Sequence, residues 1–164
     1  MASLAMREHS RSELARKLET KLSGHGNIAA QAASLPSHQQ RVLIEAVLDR
    51  LEELELLSDV RFAESFVRSR IAKGQGPLKI QGALRERGVK ESIVRAQLDL
   101  DTEFWLEQAE AARAKRFGPR RDLCAPEGSG ESAMRKDLWG RQARFLAQRG
   151  FPSSLVYRLL ETIQ

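Results

Sequence analysis

The side chains able to do chemistry in this chain are few and scattered. His9, His25 and His38 stand thirteen or more residues apart, so no pair has the close spacing with which one helix face holds a metal. Cys124 is the single cysteine. Without a spaced Cys or His partner it reads as a surface thiol in a loop rather than a nucleophile. It also excludes an intramolecular disulfide framework, and a reducing cytoplasm is the expected compartment. Carboxylates are abundant but spread around helical faces, with no evident acid/base pair. The expectation is a protein without enzymatic activity, metal or cofactor.

Gly74-Gln75-Gly76-Pro77 invites a phosphate-loop reading, because helix N-terminal amides favour anions. It has no preceding strand and no Gly-Lys-Ser/Thr ending, and Pro77 lacks a donor, so a tight helix connection is the better account. Charge is the stronger signal. The 164 residues carry a formal net charge of +5, but its distribution is uneven. Between Glu45 and Asp59 six acidic residues face Arg50 alone, whereas between Arg61 and Lys90 eight basic residues face Glu64 and Glu86. Further basic runs are Arg113, Lys115, Arg116, Arg120 and Arg121, then Arg135, Lys136, Arg141, Arg144 and Arg149. Most charge runs are merely solvated helix faces, yet recurring basic blocks favour a polyanion or an acidic surface as partner.

The elements that must position these residues are helices. Apolar residues at Ile44, Val47, Leu48, Leu51 and Leu54 fall at helical spacing and predict one buried stripe. Asp59 is the expected N-cap of the next helix, which buries Ala63, Phe66, Val67 and Ile71 and stops at Gly74. Pro77 suits a first helical position, Ile80, Ala83 and Leu84 face inward, and Gly88 suits a left-handed cap. Ile93, Val94 and Leu98 mark another helix. No alternating strand is present. No run of about eighteen apolar residues spans a membrane, and Met1–Ser12 contains no signal-peptide pattern.

The pattern repeats. Under a shift of 62, Leu84, Arg87-Gly88, Ser92, Val94 and Leu98 meet Leu146, Arg149-Gly150, Ser154, Val156 and Leu160. Gly76-Pro77 has an echo in Gly118-Pro119, and the segment Ser12–Leu18 can be laid on Leu78–Leu84. These matches predict an elongated all-α protein of three three-helix repeats: residues 1–57 with a linker at about 23–37, residues 58–102, and residues 103–164 with an inserted loop at about 120–131. The helices flanking Gly88 also have the outline of a helix-turn-helix, with Lys90, Glu91, Arg95 and Gln97 as the exposed set.

The central segment, Asp59-Val60-Arg61-Phe62-Ala63-Glu64-Ser65-Phe66-Val67-Arg68-Ser69-Arg70, with Lys73-Gly74-Gln75-Gly76-Pro77 and Leu84-Arg85-Glu86-Arg87-Gly88-Val89, resembles the core motif of the RecX family of recombination regulators. Arg7-Glu8-His9-Ser10 and Lys115-Arg116-Phe117-Gly118 are similar to the family's flanking blocks. Glu55-Leu56 departs from it, standing where the family often has Gly-Tyr. The resemblance implies tandem three-helix repeats in a cytoplasmic bacterial protein without a reaction of its own. It also implies binding to the RecA filament on single-stranded DNA, with suppression of ATP hydrolysis, strand exchange and the coprotease activity behind the DNA-damage response. The residues expected to contact the RecA filament, or single- or double-stranded DNA through the basic faces, are Arg61, Arg68, Arg70, Lys73, Lys79, Arg85 and Arg87, with Arg113, Lys115, Arg116, Arg141 and Arg144 as a second group, on a monomer. Two alternatives are a helix-turn-helix DNA-binding regulator and an adaptor that docks through the acidic Glu45–Asp59 helix.

Overall fold

A computed structural model of the chain describes residues 8–22, 35–118 and 131–161. Within them are eight helices and no strand: α1 Arg11–Leu22, α2 Ser37–Glu53, α3 Asp59–Ala72, α4 Pro77–Glu86, α5 Glu91–Leu98, α6 Thr102–Phe117, α7 Glu131–Arg149 and α8 Ser153–Glu161. Among the described residues no helix is long and apolar enough to cross a membrane. Residues 23–34 of the expected linker and 120–130 of the expected insertion, with His25 and Cys124, lie outside the described residues. At their edges Ser37 and Glu131 are already helical.

The chain divides into two compact units. One holds the residues up to Phe66 together with Leu84–Ala96, and the other holds Val67–Ala83 with the residues from Gln97 onward. In the first unit α1 packs on α2, and Leu14, Ile44, Leu48 and Leu57 form a buried cluster. Ser10 caps α1, its Oγ accepting the Glu13 N–H at 3.1 Å. That leaves one fewer orphan donor at the helix start. In the second unit α6, α7 and α8 pack on one another in every pairing, around Trp105, Ala109, Leu146, Leu155, Val156, Leu159 and Leu160.

Three expectations about the helices require correction. Ser58, not Asp59, caps α3: its Oγ accepts the Arg61 N–H at 3.3 Å, while the Asp59 carboxylate accepts the Arg11 N–H at 2.8 Å. In α2 only Ile44 and Leu48 are fully buried, while Val47, and Leu54 just past the helix end, are exposed. At about 100° per residue Val47 and Leu54 lie some 60–80° around the axis from Ile44, beyond the strip that α1 covers. On the other flank Glu45, Asp49 and Glu52 all converge on the Arg11 guanidinium, Asp49 at 2.7 Å and Glu52 at 2.8 Å. Partial burial of Arg11 opposes its charge, but these three hydrogen-bonded carboxylates outweigh that and hold its pKa above the ordinary range. Half of the acidic run is therefore tied to Arg11, with Glu45 and Asp49 still exposed at its surface.

Candidate basic interface

Two turns built alike lie among the candidate residues. After α4, Gly88 takes a left-handed φ of 70°, and after α7, Gly150 takes 89°. In both turns the following N–H reaches back across the helix end, Val89 to the Leu84 carbonyl at 3.2 Å and Phe151 to Leu146 at 3.1 Å. Each of those N–H···O pairs joins two buried apolar residues, the arrangement expected of a glycine-terminated helix.

Each Arg-Gly turn then docks on the start of a second helix. In the first unit the Arg87 carbonyl accepts the Ser10 hydroxyl at 2.7 Å, and Arg16 donates to the Glu86 carbonyl at 3.1 Å. In the second unit the Arg149 carbonyl accepts the Gly76 N–H at 2.8 Å, and the Gly150 carbonyl accepts the Leu78 N–H at 3.0 Å. Lys79 Nζ donates to the Gln148 carbonyl at 3.3 Å. Ser10 and Gly76 correspond under the register that lays Ser12 on Leu78, so the same joint is built twice. A hydroxyl supplies the donor in one and a backbone amide in the other. The second demands contact without side chains, because a Cβ on Gly76 would fall 2.6 Å from the Gly150 carbonyl carbon.

The guanidinium of each turn arginine braces its joint. Arg87 pairs with Glu13 at 3.1 Å and lies 4.8 Å over the Phe66 ring. Arg149 donates to the Lys73 carbonyl at 2.8 Å and lies 5.1 Å over Phe145, which meets Phe117 edge to face at 5.4 Å. Lys115-Arg116-Phe117, Phe145, Arg149-Gly150 and Lys73-Gly74 are thus parts of one node. A Cβ on Gly74 would lie 3.3 Å from that of Ala112. Lys115 and Arg116 follow Ala112 by three and four residues, on the same face of α6, and both are exposed. They occupy its last turn, where the helix dipole favours cations.

The expected contact residues sort by unit. In the second, Arg68, Lys73, Lys79, Lys115, Arg116, Arg141 and Arg144 are exposed and Arg70 is half-buried. Arg141 pairs with Asp137 at 2.7 Å. Arg144 precedes Gln148 by four residues, so α7 extends the basic surface from Lys79. In the first unit Arg61 pairs with Glu8 at 3.3 Å, Arg85 grips Glu91 at 2.7 and 2.8 Å, and Arg87 holds Glu13. Arg113 is misplaced by the sequence reading: it is 0% exposed and hydrogen-bonds Glu110 at 2.7 and 2.9 Å. Its spacing from the buried Trp105 and Ala109 puts it on the inner face of α6.

Among the described residues no group of three or more His, Cys, Asp or Glu is placed to hold a metal. His9 is buried, with Lys17 Nζ 3.2 Å from its Nε2. Of the four residues expected to be exposed on the helix-turn-helix outline, Lys90 and Arg95 are exposed and Glu91 and Gln97 half-buried, and Arg95 pairs with Glu91 at 3.3 Å.

Comparison with known proteins agrees with this architecture. A model of the RecX second three-helix domain matches residues 58–98. The regulatory protein RecX of Halorhodospira halophila is 40% identical over 153 residues, covering 93% of this chain and 78% of that protein. That of Pseudomonas syringae pv. tomato is 36% identical over 157 residues, covering 96% and 84%. A crystal structure of RecX from Lactobacillus salivarius shares the fold at a TM-score of 0.71 and 18% identity, covering 99% of this chain and 90% of that one. A second, titled regulatory protein RecX, gives 0.66 at 25% identity, covering 98% and 67%. Built of all-α three-helix repeats, the chain belongs to the RecX family of regulatory proteins.

Proposed function

We propose that this protein is a cytoplasmic negative regulator of a RecA recombinase, acting by binding the RecA–single-stranded DNA filament and inhibiting its ATPase, strand-exchange and coprotease activities. Family membership supports the partner. The observation that carries the mode of binding is the gathering of exposed Lys73, Lys79, Lys115, Arg116 and Arg144 near the Gly76–Gly150 joint. Lys73, Lys79, Lys115, Arg116, Arg141 and Arg144, with Arg68 and Arg70, form the surface that meets acidic protein or phosphate. Phosphate contacts supply affinity without reading sequence, which suits a filament on arbitrary DNA better than an operator. The protein acts as a monomer without a cofactor, and its repeats let one chain touch neighbouring protomers.

The test is inhibition of RecA-dependent ATP hydrolysis by a variant with Arg68, Lys73 and Lys79 all changed to Glu. The expected result is lost inhibition with an unchanged far-ultraviolet circular dichroism spectrum. Full inhibition by the folded variant would refute the assignment of this face.

A further inference from the structure

The third repeat carries a surface feature that neither the joints nor the basic cluster explains. Trp139 of α7 packs against Tyr157 of α8 in a tilted pair, with ring centroids 5.3 Å apart and planes inclined at 39°. Tyr157 is 52% exposed and Trp139 is half-buried. The packing of α8 is done by other residues, Leu155, Val156, Leu159 and Leu160, all of them buried. Under the 62-residue register Tyr157 stands where the second repeat has Arg95, while Val94 and Val156 keep the core position apolar. A three-helix repeat therefore has no need of an aromatic ring at this place.

The groups around the ring are those that suit a nucleotide. Ser153 and Ser154 open α8 and are exposed. Ser153 precedes Tyr157 by four residues, so it shares a face with the ring about 6 Å along the axis. The first amides of a helix have no acceptor inside it and lie at its positive end. Exposed Lys136 precedes Trp139 by three residues on α7, which places an ammonium on that face. Arg158, beside Tyr157, is bridged to Glu103 of α6. Exposed Glu161 lies one turn past Tyr157, so an anionic strand is steered toward the start of α8 and away from its end. Nucleobases stack on aromatic faces whatever their sequence.

We infer that the Trp139–Tyr157 pair is a stacking site for an unpaired nucleobase whose phosphate sits at Ser153 and Ser154. The inference does not depend on the RecA reading, because its ligand is a single strand and its test uses this protein alone.

The experiment titrates the full chain with a dT octamer and with an octamer of abasic sites carrying the same phosphates, following tryptophan emission. Trp105 is 5% exposed, so quenching by a stacked base reports Trp139. The expected outcome is quenching by dT only, with dT binding roughly 5- to 150-fold tighter, the equivalent of the ~1–3 kcal/mol that one stacked base contributes. Tyr157→Ala and Tyr157→Arg should abolish that preference, and Tyr157→Phe should keep it. Equal binding of both octamers would overturn the proposal, leaving a phosphate contact only. So would an undiminished preference in folded Tyr157→Ala. Binding of neither strand would overturn it too and leave the pair as an anchor for a protein partner.

Discussion

Replacing Gly76 by Ala tests whether backbone contact holds the second joint. A methyl there would lie 2.6 Å from the carbonyl carbon and oxygen of Gly150 and from the Phe151 nitrogen. None of these is a flexible side-chain end, so the two backbones must separate by about 0.8 Å to restore ordinary van der Waals contact. The bonds from Gly76 and Leu78, at 2.8 and 3.0 Å, would then stretch beyond the usual N–H···O range of about 2.7–3.2 Å. Losing both removes about 0.5–1.5 kcal/mol each, and overpacking adds about 1–3 kcal/mol. The expected destabilisation is therefore about 2–6 kcal/mol. Gly82 is the control, since a methyl there meets nothing within 4 Å. In a helix interior Gly82→Ala should stabilise by about 1 kcal/mol. Trp105 and Trp139 both belong to the second unit, so urea unfolding followed by tryptophan emission reports it directly. With a slope of about 1–3 kcal/mol/M, the Gly76→Ala midpoint should fall by roughly 1–3 M. A Gly76→Ala midpoint at the parent value would refute the backbone-contact argument. Equal loss in Gly82→Ala would show that helix strain, not the joint, is being measured.

Two further outcomes follow from single residues. Glu55 has a left-handed φ of 55° and ends α2 where the resemblance led us to expect Gly. A non-glycine residue in that region costs about 1–2 kcal/mol, partly offset by the greater unfolded freedom of glycine, so Glu55→Gly should raise stability by about 1 kcal/mol in thermal unfolding. An unchanged or lowered melting temperature would count against the strain. Glu91 is held down to a pKa of about 2, chiefly by hydrogen bonds from Arg85, with smaller help from Arg95. A depressed carboxylate stabilises the fold above its unfolded pKa, near 4.5, and that contribution disappears as pH falls from there through about 2. A carboxyl NMR titration should place the Glu91 midpoint near 2 in the parent and move it toward 4.5 in Arg85→Ala. A parent midpoint already near 4.5 would remove the ion pair from the account.

Local grammar in the sequence settled a good deal. Helical spacing of apolar residues, Pro77 at a helix start, and Gly88 and Gly150 as left-handed stops depend on contacts within a few residues, and each stands where the pattern puts it. The repeat register was legible for the same reason, since Arg87-Gly88 and Arg149-Gly150 are short signals with strict backbone needs. The basic composition and the residues of the Lys115–Phe117 and Arg149–Phe151 motifs were legible too, although not their meeting in one node. What the tertiary structure alone decided is which face meets what. Periodicity placed Val47 and Leu54 with the α2 core, but only the placement of α1 determines how wide a strip is covered. It marked Arg113 as a surface charge, although the packing of α6 buries it. It left the acidic run open to a partner, whereas Arg11, more than thirty residues earlier, converges on three of its carboxylates. Side chains of one type read alike along a chain. Long-range packing buried Arg113, made Arg87 and Arg149 braces of the two turns and left Lys73, Lys115 and Arg116 exposed, and no local pattern carries that distinction.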